Sequence, residues 1–185
     1  TTFVDGDNLL AWEEAITDRT KLFFFETVSN PGAAVADIAP ICEIAHRHGV
    51  LVVVDSTFTT PYLCRPFEFG ADIVVHSATK YICGHGNAMG GIVIESGKFD
   101  YKNNPRYRQF DEPDASYHGV VFAEDFANAP FCARLRSKYL RDIGGCMSAN
   151  TAFLMLIGLE TLSLRMKKHC ENGEAIAKYL LTHPK

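Results

Sequence analysis

Residues 52–86 read VVVDSTFTTPYLCRPFEFGADIVVHSATKYICGHG, and two apolar runs in and beside this stretch decide the fold. Val50 to Asp55 and Asp72 to Ser77 lack the alternation of a half-exposed strand and are too short for helices. Both read as strands buried on two faces. Working outward, Lys21 to Glu26 holds a run of the same kind (Leu22-Phe23-Phe24-Phe25), and Gly91 to Glu95 supplies a fourth. Thr1 to Val4 also reads as a strand. Between the strands, Asn8 to Ile16 spaces Leu9, Ala11 or Trp12, Ala15 and Ile16 as a helix does. Ile38, Ile41, Cys42, Ile44 and Ala45 form a second helical stripe, with Asp37 placed to cap it and Gly49 to end it. Buried strands separated by amphipathic helices predict an α/β fold, a largely parallel sheet with helices on both faces.

Lys98 to His118 breaks this rhythm. Its 21 residues hold eight charges, two prolines and five aromatics (Phe99, Tyr101, Tyr107, Phe110, Tyr117). A connection that long is functional or disordered, and the aromatics argue against disorder. From about Ala129 the chain is helical again, and Thr151 to Leu181 reads as one long helix or two joined near Gly158 or Gly173. The Met and Leu residues of Phe153 to Leu159 are expected in the core.

Composition narrows the function classes. The chain has 185 residues, 47% hydrophobic and 22% charged, with a net charge of −4. That allows one domain, or one and a fraction, and argues against disorder, a nucleic-acid partner or a basic membrane anchor. The longest uninterrupted apolar run, Ala152 to Ile157, falls far short of the roughly 20 residues that span a bilayer. Six cysteines in a chain this long and apolar read as reduced thiols of a cytoplasmic protein rather than a disulfide framework. Cys64, Cys83 and His85 match no zinc spacing, so no metal is expected. The chain does not start with Met, and its last residues leave a helix, so it reads as the middle of a longer polypeptide.

In open α/β sheets ligands bind beyond the carboxyl ends of the strands. Three strand ends carry polar residues in a row: Glu26-Thr27-Val28-Ser29-Asn30-Pro31, Asp55-Ser56-Thr57 and His76-Ser77-Ala78-Thr79-Lys80. An acid, an amide, hydroxyls and an amine would meet on one rim. The competing reading makes Asp55 a helix cap and Lys80 a solvated surface residue. Three such ends together, followed by Gly84-His85-Gly86 and Gly90-Gly91, weigh against it, because close glycines let backbone approach a ligand or another chain. His85, Tyr117 and His118 are candidates for acid–base work or for structural roles, a backbone hydrogen bond for His85 and a loop anchor for His118.

The stretch 52–86 resembles the pyridoxal-phosphate signature of the Cys/Met-metabolism enzymes, a family that includes cystathionine synthases and lyases, methionine γ-lyase and O-acetylhomoserine sulfhydrylase. The resemblance extends upstream to ETVSNP and downstream to LRDIGG and GLETLSLRM, and VIESGKFDYKNN with FDEPDASYHGVVF is most similar to the sulfhydrylase branch. It implies the large domain of a fold type I, aspartate aminotransferase-like PLP-dependent transferase, here incomplete. Residues 1–150 would be the central part of that domain, and 151–185 a long helix leading toward a C-terminal domain. Pyridoxal 5'-phosphate is the implied cofactor. Lys80 resembles the lysine that condenses with its aldehyde, and burial there is expected to make the amine nucleophilic. Asp55 resembles the partner of the pyridine nitrogen, Ser77 and Thr79 the hydroxyl donors to the phosphate, and Asn30 the amide near the ring hydroxyl.

The resemblance implies γ-replacement on O-acetyl-L-homoserine by sulfide or methanethiol, in a cytoplasmic homo-oligomer (a dimer of dimers). A C–S lyase is the alternative within the fold, and a non-catalytic nucleotide-binding or assembly domain the alternative outside it. The latter lacks its glycine fingerprint, since Val4-Asp5-Gly6-Asp7-Asn8 is not GxGxxG. Two positions depart from the family: Cys83 stands where glycine is usual, and Ser148-Ala149-Asn150 replaces an SPFN-like string. The aromatic that stacks on the ring, a neighbour's Tyr/Arg pair and a C-terminal arginine lie outside the sequence, so the 185 residues alone are expected to be inactive.

Overall fold

The computed structural model describes residues 1–184. Four strands, β1 (Leu22–Glu26), β2 (Leu51–Asp55), β3 (Ile73–Ser77) and β4 (Gly91–Glu95), form one sheet in the order β1-β2-β3-β4. The first three are parallel, and β4 runs antiparallel to β3. Thr1 to Val4 is not a strand. No strand among the described residues pairs with it, and Phe3 is 93% exposed, although Val4 packs on the core.

Helices α1 (Leu9–Glu14) and α2 (Ile38–Arg47) cover one face of the sheet. Asn8 caps α1, its Oδ1 accepting the N–H groups of Leu10 at 3.1 Å and Ala11 at 3.3 Å. Asp37 stands at the N-cap of α2, but its side chain makes no cap bond. Gly49 follows α2 at φ 62°, the left-handed turn that suits glycine. Strand β2 shows why the run from Leu51 to Val54 lacks alternation: successive side chains point to opposite faces, and both faces are covered. Val52 and Val54 join Trp12, Phe23, Ile41 and Ala45 in one core, while Leu51 and Val53 join Ile73 in another.

The second core is roofed by Lys98 to His118 and the short helices after it. Helix α3 (Thr60–Leu63) lies between β2 and β3; along the roof lie α4 (Arg108–Asp111), α5 (Phe122–Asp125), α6 (Pro130–Arg134) and α7 (Arg141–Ile143), the last two joined by a π-helical segment, Leu135–Leu140. Tyr101, Tyr107, Phe110 and Phe122 are buried against Leu51, Val53 and Ile73. At roughly 1.5–3 kcal/mol for each large apolar side chain removed from water, this segment is a structural layer. It is laced to the amino ends of the strands. The Tyr107 hydroxyl accepts from Leu51 N at 2.7 Å and donates to Lys21 O at 2.5 Å, and Asn104 Nδ2 donates to Gly49 O at 2.9 Å. Farther along, the Glu95 carboxylate accepts the N–H groups of Phe131 and Cys132 that open α6.

The C-terminal part is two helices, α8 (Ala149–Glu160) and α9 (Leu162–Thr182), joined at Thr161 rather than at Gly158 or Gly173. Ser148 Oγ accepts Thr151 N–H at 3.1 Å, so the departure from the SPFN-like string still yields an ordinary N-cap. The expectation that the Met and Leu residues of Phe153 to Leu159 are core holds for Met155, while Leu154 is half-buried. Phe153, Leu156, Ile157 and Leu159 are exposed, because no described residue packs over that side of α8. Among the described residues, no helix is long and apolar enough to cross a membrane. All six cysteines are free thiols.

Candidate functional site

Parallel pairing brings three strand ends to one rim. Glu26 is level with Asp55, and Asp55 with Val75, so the residues after each strand leave the sheet on the same side. Hydrogen bonds then tie the ends together. Asp55 Oδ1 accepts from Thr57 N at 2.8 Å, and Thr57 Oγ1 accepts from Ser77 N at 2.7 Å. Buried His76 donates from Nδ1 to Ser56 O at 3.0 Å, and burial depresses its pKa, which keeps the ring neutral.

Beyond this rim lies a cleft of about 640 Å³. Asn30, Asp55, Ser77, Thr79 and Lys80, all five residues singled out in the sequence, line it. Their states differ. The Ser77 hydroxyl and the Lys80 amine make no hydrogen bond among the described residues. Lys80 is exposed, so the burial anticipated for it is not provided by these residues. The Thr79 hydroxyl is engaged: it donates to Gly90 O at 3.2 Å and accepts from Gly90 N at 3.0 Å. A phosphate contact by Thr79 would have to share that hydroxyl with Gly90. Asn30 is exposed and held through its backbone, with N donating to Glu26 Oε2 at 2.8 Å.

The other candidates sit elsewhere or act structurally. His85 Nδ1 donates to Cys83 O at 2.7 Å, a backbone bond that closes the glycine turn. His118 is exposed at φ 57°, its ring near Tyr117, and the loop is anchored instead by Asp114. The Lys138 ammonium, 2.8 Å from Asp114, holds that carboxyl down at about 2. Buried Cys83 donates from Sγ to Asn87 Oδ1 at 3.2 Å and packs with Ala78, Ile82 and Met155. No residue of Lys98 to His118 lines the cleft.

Four cleft residues carried no role in the sequence reading. Phe58 and Tyr81 meet edge to face at 6.1 Å, and the His169 ring lies 5.2 Å from Tyr81. Arg165 is the fourth. Arg165 and His169 are four apart on α9 and therefore share a face, which is the one signal that could have found them.

The sequence matches the description "Cys/Met metabolism PLP-dependent enzyme" over residues 1–185. It is 48% identical to homocysteine synthase of Schizosaccharomyces pombe, covering 100% of this chain and 44% of the yeast protein. Identity to O-acetyl-L-homoserine sulfhydrylase of Leptospira meyeri is 41%, covering 99% of this chain and 43% of the relative. The chain therefore spans less than half the length of these curated relatives. A crystal structure from Campylobacter jejuni, assigned as an O-acetylhomoserine (thiol)-lyase and containing a pyridoxyl-lysine phosphate, superimposes with a TM-score of 0.91 at 42% identity, covering 97% of this chain and 43% of that one. Cystathionine gamma-lyase from Lactobacillus plantarum gives 0.74 at 32% identity, covering 99% and 40%.

Proposed function

The chain belongs to the Cys/Met-metabolism PLP-dependent enzyme family, and from that premise we propose that the protein carrying it is a transferase acting on O-acetyl-L-homoserine. Sulfide or methanethiol forms the new bond to the γ-carbon, the γ-carbon–oxygen bond breaks, and acetate leaves, giving homocysteine or methionine. The observation that carries this reading is the donor set of the cleft: an amine, a carboxylate, hydroxyls and an amide on one rim. These match an aldehyde, a pyridinium nitrogen, a phosphate and a ring hydroxyl, so the residues present fit pyridoxal 5'-phosphate. The curated relatives are named for sulfhydrylation, and the likeness to the lyase structure is weaker, which favours replacement over elimination.

Bound here, pyridoxal 5'-phosphate supplies an electron sink for charge at the α-carbon of an amino acid. Lys80 Nζ would hold the cofactor's aldehyde carbon and, once released, would take the α-proton and move a proton at the β-carbon, as a mobile amine on the rim of the cleft can. Asp55 keeps a proton on the pyridine nitrogen. Its Oδ1 is already fixed by Thr57 N–H, which orients the carboxylate. Ser77 Oγ, with Thr79 beside it, binds the phosphate. Asn30 orients the ring hydroxyl and the incoming substrate. We place residues 1–150 in the cofactor domain and read 151–185 as a helical lead toward a further domain. The exposed apolar residues of α8 and α9 support burial by further chain or by other subunits in a dimer of dimers. The free thiols support a cytoplasmic location.

The test is borohydride reduction of the cofactor-loaded complete protein followed by peptide mapping. Label on Lys80, together with homocysteine formed from O-acetyl-L-homoserine and sulfide, is the expected result. Label on Lys21 or Lys98 would overturn the assignment. The isolated 185-residue chain, which spans less than half the length of its curated relatives, should show no turnover even when saturated with cofactor.

A further inference from the structure

We infer that Arg165 is a positioning residue for Lys80, a conclusion that rests on the reading of the cleft given above. The turn bearing Lys80 closes with Gly84 N donating to Lys80 O at 2.8 Å and Cys83 N to Ala78 O at 2.9 Å. The intervening carbonyls are left over, as at the end of a helix. Arg165 collects them: Nη1 donates to Tyr81 O at 2.7 Å, and Nη2 lies 3.5 Å from Ile82 O. The same guanidinium reaches the last turn of α8, with Nη2 donating to Gly158 O at 2.7 Å and Nε to Thr161 Oγ1 at 3.1 Å. One planar cation thus fastens the residue directly after Lys80 to the end of α8. A lysine, a compact point charge without the fork, cannot span these acceptors at once.

Two glycines clear the room for this clamp. A Cβ on Gly84, which sits at φ 74°, would stand 2.6 Å from Arg165 Cζ, and a Cβ on Gly158 would stand 2.0 Å from Cys83 O. The guanidinium lines the cleft, yet its nitrogens are committed to protein oxygens. It therefore acts through the turn rather than as the ligand of a substrate carboxylate.

The test compares the complete protein with its Arg165→Lys and Arg165→Met variants; the lysine variant keeps the charge and safeguards folding. Hydrogen exchange at the Cys83 and Gly84 amides is read without cofactor. Visible circular dichroism, kcat and KM are read at saturating pyridoxal 5'-phosphate. Losing charge-assisted bonds of this kind should lower kcat about tenfold or more, with KM changing less than about threefold. Exchange at the two amides should quicken, and the dichroism of the bound cofactor should weaken. Wild-type values for exchange, dichroism and kcat in the lysine variant would overturn the inference. So would a lower thermal midpoint accompanied by unchanged dichroism and kcat, since Arg165 would then serve the fold alone. A wild-type protein that borohydride does not label at Lys80 would instead sink the functional reading, and the exchange measurement would still decide whether Arg165 holds the turn.

Discussion

Gly158 and Gly173 both lie inside C-terminal helices, yet alanine should act on them in opposite directions. At Gly158 a Cβ would sit 2.0 Å from Cys83 O, 2.7 Å from Cys83 C and 2.8 Å from Ile82 O. These are backbone atoms of the Lys80 turn and cannot swing aside as a side chain would, so α8 has to retreat by about 1 Å to reach a normal contact. Over-packing of this kind costs about 1–3 kcal/mol. The retreat also loosens the Arg165 bond to Gly158 O, about 1 kcal/mol more. Helix propensity returns about 1 kcal/mol. The net is a destabilisation of about 2 kcal/mol, or about 4–8 °C in Tm for a chain of this size. Gly173 has nothing within 4 Å of its Cβ position, so there only the propensity gain remains, up to about 1 kcal/mol of added stability. Thermal scans and urea titrations of the two variants beside the wild-type protein provide the comparison. A Gly158→Ala protein as stable as Gly173→Ala would refute the claim that α8 and the Lys80 turn touch backbone to backbone.

Asp55→Asn should cut turnover by orders of magnitude while cofactor still binds through Ser77 and Lys80; near-normal turnover would reduce Asp55 to its bond with Thr57 N–H. The hydrogen bond that His46 donates to Asp72 raises the pKa of His46, so the charged pair adds stability that is fully present below about 6.5 and is lost as pH rises through the higher folded value. The urea midpoint of the wild-type protein should therefore fall relative to His46→Gln as pH rises above about 6.5, and parallel curves would contradict this. Tyr107→Phe leaves Leu51 N–H and Lys21 O without their shared partner and should cost about 1–3 kcal/mol in urea unfolding, with no change in KM because Tyr107 is not part of the cleft.

Asp55, Ser77 and Lys80 were legible because each ends or follows an unbroken apolar run, and parallel strands deliver their ends to one place. Asn30 was legible for the same reason, one strand over. The role of Lys98 to His118 was not. Tyr101, Tyr107 and Phe110 follow no period, since they fill gaps over Leu51, Val53 and Ile73 rather than line one helix face. Thr1 to Val4 had the composition of a strand but no partner among the described residues, and pairing rather than composition makes a strand. The apolar residues of α8 were read as core because side-chain chemistry was legible and the neighbours were not. Arg165 escaped notice because the partners that tie it to the site are backbone carbonyls of a distant turn, and those have no sequence signature.

The roof over the second core has a consequence for how the chain is made. Leu51, Val53 and Ile73 leave the ribosome long before Tyr101 to Phe122, the residues that shelter them. The interval from Ile73 to Phe122 is 49 residues, which at roughly 5–20 residues per second takes several seconds. Throughout that time the nascent sheet presents one oily face that none of the described residues made so far shields. Stalled chains released at residue 95 should accordingly be cut by protease and held by chaperones, whereas those released past residue 135 should resist both. The segment that looks like an interruption in the α/β rhythm is, on the timescale of synthesis, the one that ends the chain's dependence on its helpers.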